Sequence, residues 1–223
     1  MLFRSEHSGD DCPHHKEIQL LREERDFDFV RDDIFKLLAE SKDGLARVRK
    51  IVQDLRTFSR VGEQEWQEAD LHEGLDSTLN IVWNELKYKC EVIKDYGELP
   101  PVYCLISQLN QVFMNLLVNA GHAIAEKGRI TIRTRQLDEA RVCVEISDTG
   151  CGIAAENLNR IFEPFFTTKP VGKGTGLGLS LAYGIIQRHQ GQISADSEPG
   201  RGSTFRVILP IRPHGAGIPE DQP

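Results

Sequence analysis

No stretch of this 223-residue chain approaches the roughly 20 consecutive apolar residues that a membrane-crossing helix needs. The opening MLFRSEHSGDD turns polar after three residues and does not read as a secretory leader. The five cysteines, Cys12, Cys90, Cys104, Cys143 and Cys151, are odd in number and contain no CxxC pair. Most sit inside apolar periodic stretches, which fits reduced thiols in a cytosolic compartment better than a disulfide framework or a zinc site. Positive charge is in deficit, with a formal net charge of -7. A general nucleic-acid binder, which works by neutralising phosphates, needs the opposite balance. What remains is the composition of a soluble globular protein, 39% hydrophobic and 27% charged, with ample length for a buried core.

Residues 1–16 show no apolar periodicity and read as a flexible start. From Asp33 onward the spacing predicts a long helix: Leu38, Ser41, Leu45, Val48, Val52, Leu55 and Ser59 fall alternately three and four apart, as in a coiled-coil seam. Ile34, Leu37, Ile51 and Phe58 widen that stripe, and Gly62 is a plausible stop. Such a helix needs a partner, and a homodimer through residues 33–61 is the expectation. From Trp66 the texture changes to shorter elements. Helices are predicted at Leu71–Lys89, Leu105–Lys127 and Thr175–Gln190. Strands are predicted at Glu91–Tyr96, Arg129–Arg135, Arg141–Ser147, Gln192–Ser197 and Ser203–Leu209, the last two joined by the turn Glu198-Pro199-Gly200. The fold class is therefore α+β after a helical segment. Residues 213–223 read as a disordered tail.

Four short segments carry the chemistry. On the helix Leu105–Lys127, Leu109, Val112, Phe113, Leu116, Leu117, Ala120 and Ile124 cluster on one face. Asn115 and Asn119, four apart, project together from the other, with His122 beside them. Solvated faces favour Lys and Glu over Asn, a poor helix former. Carboxamide oxygens are hard ligands suited to Mg²⁺, and His122 is within reach of a phosphate or a ribose. Asp148-Thr149-Gly150-Cys151-Gly152 follows a strand, where glycines allow close backbone approach and a carboxylate can accept a hydrogen bond from an exocyclic amine such as that of adenine. Ile161-Phe162-Glu163-Pro164-Phe165-Phe166-Thr167-Thr168-Lys169 could anchor a flap, with Lys169 the nearest cation to a terminal phosphate. Finally Gly172-Lys173-Gly174-Thr175-Gly176-Leu177-Gly178-Leu179-Ser180 ends at a helix N-terminus, where backbone N–H groups and the helix dipole favour phosphate. This run is not a Walker A motif, since GxxxxGK[ST] is absent from it. It is not a Rossmann fingerprint either, because no parallel strand directly precedes it.

In order, QVFMNLLVNAGHAI, DTGCG, IFEPFFTTK and GKGTGLGLS resemble the N, G1, F and G2 boxes of sensor histidine kinases, members of the GHKL superfamily with Hsp90, MutL and DNA gyrase. GLARVRKIVQDLRTFSR resembles the second helix of the kinases' dimerisation domain. The resemblance implies a two-layer α/β sandwich, the Bergerat ATP-binding fold, with a mixed sheet under three helices and a long helical segment before it. It implies residues 17–63 as a partial dimerisation region and 64–212 as the catalytic ATP-binding domain. The cofactors implied are ATP or ADP with Mg²⁺, and the partners are a response regulator receiver domain and a histidine-bearing dimerisation helix. Direct contact with membrane or nucleic acid is not expected, and the location is cytoplasmic even if a parent protein is membrane-anchored. Carried over by position, Asn119 would coordinate Mg²⁺ with Asn115 in support. Asp148 would read adenine, with Gly150, Gly152 and Ile153 lining its pocket and Thr204 in the water network beside it. Phe162, Thr168, Lys169, Gly172, Lys173, Gly174, Thr175, Gly176, Leu177, Gly178 and Leu179 would surround the nucleotide. Asn115, Asn119 and Lys169 would be catalytic.

One part of the family pattern is missing. An acceptor histidine in a motif like H-E-x-x-N-P does not occur. His7 is followed by Ser8-Gly9-Asp10 and His14-His15 by Lys16-Glu17, while His72, His122, His189 and His214 lie in or beyond the ATP-binding half. The expectation is a chain that begins after the acceptor helix, or a degenerate kinase, and that holds only the donor half of phosphotransfer. A nucleotide-gated interaction module without phosphotransfer is the alternative. A gyrase- or MutL-like ATPase is disfavoured, because the lid is short and no transducer domain follows.

Overall fold

The structure, a computed structural model, describes residues 26–59, 65–170 and 174–214. It divides the chain into two units, residues 1–50 and 51–223, each treated by itself. Helix α1, Phe27–Ser59, starts six residues before the position that periodicity marks. The Asp26 carbonyl accepts from Val30 N–H at 2.9 Å and so opens the first turn ahead of the apolar seam. Ile34, Leu38, Leu45 and Val48 on the predicted stripe are all exposed. Gly62, the predicted stop, lies outside the described residues, as do His7, His14 and His15.

In the second unit a five-stranded sheet has the order β2-β4-β5-β7-β6. Its strands are β2 (Cys90–Tyr96), β4 (Gly128–Gln136), β5 (Arg141–Asp148), β6 (Gln192–Glu198) and β7 (Gly202–Pro210). β2 pairs parallel with β4 and the other pairings are antiparallel, so the sheet is mixed. Two three-residue strands, β1 (Gln67–Ala69) and β3 (Val102–Cys104), form a separate antiparallel pair. Neither was predicted, since three residues are too short to show alternation.

Helices α2 (Leu71–Leu86), α3 (Ile106–Ala123) and α5 (Gly178–Arg188) cover one face of the sheet, and a short α4 (Ala155–Leu158) follows β5. α2 is opened by Asp70, whose carboxylate accepts from His72 N–H at 2.7 Å. Leu75, Leu79 and Val82 of α2 meet Leu109, Val112, Phe113, Leu116 and Leu117 of α3 in one apolar cluster with Ile130, Ile132, Val144, Ile146 and Val207 from the strands. Burial of this kind contributes about 25 cal/mol per Å² of apolar surface and makes the two layers one body.

The sheet's other face is polar. Asp95, Arg133, Glu145, Arg206 and Asp196 form a row of alternating charge across all five strands, linked by Arg133 to Asp95 at 2.7 Å, Arg206 to Glu145 at 2.5 Å and Arg206 to Asp196 at 2.6 Å. Arg135 adds a further bridge to Glu145 at 3.2 Å. That row keeps the helix-free face wetted and turns the apolar face toward α2, α3 and α5.

The predicted helix ends at Lys89, Lys127 and Thr175 are each too generous. At the third, α5 begins only at Gly178, because the left-handed bend at Gly176 keeps Gly174 to Leu177 out of the helix.

Candidate nucleotide site

Apolar residues every third or fourth position bury one side of α3 and leave Asn115 and Asn119 half-buried on the other. The helix stops at Ala123, where Ile124 turns extended, and the carbonyls left without helical partners are satisfied from elsewhere. Cys151 N–H donates to Ala123 O at 3.0 Å, and Lys89 Nζ donates to Ile124 O at 3.2 Å. The loop after β5 is thereby laced onto the end of α3. Gly150 is the residue that permits it, since a Cβ there would lie 2.6 Å from the Ala123 backbone. Glycine in this loop serves helix-to-loop contact as well as approach to a ligand.

Asp148 ends β5 and is buried. Its Oδ1 accepts from Gly150 N–H at 2.8 Å. Burial raises its pKa above the ordinary carboxylate value, only partly offset by backbone hydrogen bonds from Gly150 and Ser203. A cavity of about 420 Å³ opens beside it, lined by Asp148, Leu158, Ser197, Ser203 and Thr204 among others. It is an open groove along the β6–β7 hairpin and does not reach Asn115 or Asn119.

Thr204 lines that groove from β7. Its Oγ1 lies 2.9 Å from Ser147 Oγ, its cross-strand partner, and Asp148 instead faces Ser203 across the β5–β7 ladder. Successive strand residues point to opposite faces, so the hydroxyl sharing Asp148's face belongs to Ser203. Ser203 was missed because the alternation of GSTF does not by itself say which hydroxyl faces inward. Ser197 was missed too. Its Oγ accepts from Ile153 N–H at 2.8 Å, donates to Gly202 O at 2.8 Å and lies 3.0 Å from Ser203 Oγ. These bonds tie the loop after Asp148 to the β6–β7 hairpin, a pairing 44 residues apart that no local pattern signals.

The opposite wall is built from the segment after α4 and the approach to α5. Phe165 N–H donates to Gly176 O at 3.0 Å. Gly176 has φ of 67°, a left-handed value, and a Cβ there would run into the Phe165 backbone. Phe162 packs against the core and lies 5.7 Å from the Tyr183 ring of α5, while Phe165 is exposed. The three phenylalanines thus divide their work: Phe162 and Phe166 anchor, and Phe165 stays outside. Thr168 is exposed, Leu177 buried, and Leu179 partly buried against the core. Thr175 Oγ1 accepts from Leu177 N–H at 3.4 Å, and Thr167 Oγ1 is the nearest neighbour of Gly174. Gly172 and Lys173 lie outside the described residues.

The two walls meet at α3. Asn115 Nδ2 donates to Gly178 O at 2.9 Å, at the first residue of α5. Lys169 Nζ donates to Asn119 Oδ1 at 3.3 Å and to His122 Nδ1 at 3.0 Å. One face of α3 therefore makes two junctions, Asn115 with the start of the 11-residue α5, and Asn119 and His122 with Lys169 some 50 residues away. Among the described residues no group of three His, Cys, Asp or Glu is placed to hold a metal ion. A cation here would rest on carboxamide oxygen and on its own phosphate ligands, the mode that suits Mg²⁺.

Residues 105–213 match the family model described as histidine kinase-, DNA gyrase B-, and HSP90-like ATPase. The histidine-protein kinase AtoS of Escherichia coli is 37% identical over 200 residues, covering 89% of this chain and 32% of AtoS. The chain thus spans about a third of the length of that curated relative. The catalytic domain of histidine kinase ThkA superposes with a TM-score of 0.60 at 30% identity, covering 67% of this chain and 99% of that domain. ThkA in complex with the response regulator TrrA superposes at 0.65 and 27% identity, over 78% of this chain and 50% of ThkA's. Among the described residues no helix is long and apolar enough to cross a membrane. Four boxes in order, a mixed sheet under three helices and a helix terminus bonded to Asn115 agree with these matches, and the chain belongs to the GHKL ATPases, with an ATP-binding domain of the histidine kinase type.

Proposed function

We propose that this chain delivers the γ-phosphoryl group of Mg·ATP to a histidine on a dimerisation helix, for relay to the receiver domain of a response regulator. The observation that carries the proposal is that one face of α3 ties Asn115 to the α5 N-terminus and Asn119 and His122 to Lys169. Phosphoryl transfer asks little covalent chemistry of the protein; positioning and charge stabilisation do the work. Asn119 Oδ1 would hold Mg²⁺, which would supply charge neutralisation to the phosphates. Asn115 sets the height of the α5 N-terminus, whose N–H groups face the phosphates together with Gly174, Gly176 and Gly178. Lys169 and His122 flank the transferring group. Asp148 holds the adenine amine, with Gly150, Gly152 and Ile153 beneath the ring and Ser203 on the same side.

The exposed stripe of α1 suits packing against a second copy, and the acceptor histidine is supplied from outside this chain. The setting is cytoplasmic. The ThkA–TrrA complex supports a receiver domain as the downstream partner. Incubation with labelled ATP tests all of this. Alone, the chain binds nucleotide and gains little acid-labile phosphate; with a separate protein bearing the family's histidine helix, that helix is labelled. Binding without transfer to any such helix would favour a nucleotide-gated interaction module. Strong labelling of the chain alone would overturn the missing acceptor.

A further inference from the structure

His189 is a buried histidine that the nucleotide site does not use, only 1% exposed at the C-terminal end of α5. Its Nδ1–H donates to Ile185 O at 2.8 Å, which leaves Nε2 as an acceptor, and Leu105 N–H at the start of α3 donates to it at 3.1 Å. The two bonds together select one neutral tautomer. The Trp66 ring covers the imidazole, with centroids 4.9 Å apart, and stacks on Tyr103 of β3 at 5.9 Å. The aromatic wedge and two fixed hydrogen bonds leave the ring a single orientation.

The same two helices are joined again midway along α3 and at the start of α5, where Asn115 Nδ2 donates to Gly178 O at 2.9 Å. α3 runs from Leu105 at the His189 junction toward Asn115, and α5 runs back from Gly178 to His189. At 1.5 Å per residue the two spans are about 15 Å and about 17 Å. The Leu105–Asn115 part of α3 and the length of α5 are thus matched spans, tied by one hydrogen bond at each limit and packed between. Whatever fixes their offset at His189 therefore fixes where the α5 N-terminus meets Asn115.

We propose that His189 is a positioning residue for the nucleotide site, setting the register of α5 against α3 from the end opposite the phosphates. The proposal rests on the nucleotide reading given above. Mg·ADP binding by calorimetry tests it, at a temperature where circular dichroism shows every variant folded. His189→Phe keeps a ring against Trp66 but removes both hydrogen bonds, and should weaken binding about ten-fold. His189→Gln, which can still accept from Leu105 N–H, should stay within about three-fold of the parent. Val82→Ala in the α2 core lowers the melting temperature without touching the junction and should leave affinity unchanged. A double-mutant cycle of His189→Phe with Asn115→Ala should be non-additive, although residues this far apart ordinarily act independently. His189→Met replaces the Phe variant should the phenyl ring prevent folding. Unchanged affinity in the Phe or Met variant, equal weakening by Val82→Ala, or an additive cycle would each sink the proposal. A parent chain that fails to bind Mg·ADP would instead overturn the nucleotide reading.

Discussion

Asn115 on α3 donates its side-chain amide to the carbonyl of Gly178, the first residue of α5. This one bond sets the phosphate-facing helix terminus beside the asparagine pair, so it links two of the four sequence boxes directly. Asn115→Ala should weaken Mg·ATP binding at least ten-fold in calorimetry. Its cost to stability should be only about 1 kcal/mol, the net worth of one hydrogen bond. Asn119→Ala should differ in kind, because it removes the carboxamide proposed to hold the cation. Its loss of affinity should appear in the presence of Mg²⁺ and largely vanish in EDTA.

Asp148 should trade stability for binding. Its folded pKa is raised, chiefly by burial, so the folded state holds a proton to higher pH than the unfolded state does. Ionised Asp148 therefore costs stability above the unfolded value of about 3.9, and that cost is absent at lower pH. Asp148→Asn should melt at or above the parent temperature at pH 7, with the advantage shrinking toward pH 4. The same variant should bind ATP more than ten-fold more weakly. A clear loss of melting temperature at pH 7 would show that the carboxylate stabilises the fold instead.

His189 should make the fold acid-sensitive. Burial lowers its pKa, assisted by the nearby Arg188 charge and opposed by the hydrogen bond to Ile185. The unfolded chain then binds a proton that the folded chain refuses. The stability held by neutral His189 is complete above about pH 6.5 and falls as pH drops toward the lower folded pKa. Thermal melts between pH 7.5 and 5.5 should show this slope in the parent and a flatter one in His189→Gln.

Gly176→Ala should break the clasp with Phe165. A left-handed alanine costs about 1–2 kcal/mol, and its Cβ has no room against the Phe165 backbone. Limited proteolysis around Phe165 should quicken in this variant, and ATP affinity should fall. Gly200→Ala shares the positive φ but meets nothing within 4 Å, so it carries the backbone strain without the clash. Equal proteolysis in the two variants would show that strain, and not the clasp, governs the wall.

Local chemistry carried much of this protein in its linear order. The 3.6-residue spacing of Leu109, Val112, Phe113, Leu116 and Leu117 already placed Asn115 and Asn119 on the ligand side of α3, because side-chain direction on a helix is set by position alone. The alternation in Arg141–Ser147 put Asp148 at a strand exit for the same reason, and the glycines before Leu181 marked a phosphate-suited terminus. Short-range periodicity could not decide distances between segments. Which hydroxyl faces Asp148 depended on the β5–β7 register, which sets Ser203 across from it and Thr204 across from Ser147. α3 ends four residues short of the predicted Lys127, where Ile124 turns extended and Cys151 and Lys89 satisfy the carbonyls left without helical partners. The reach of Lys169 to Asn119 and His122, the tie of Ser197 to Ile153 and the seat of His189 against Leu105 each join residues 44 to 84 apart. The sequence by itself determined which faces are apolar and which residue types stand ready for Mg·ATP. Only the tertiary structure decided which of them meet, because hydrogen bonds between distant segments exist only after the sheet and its helices have packed.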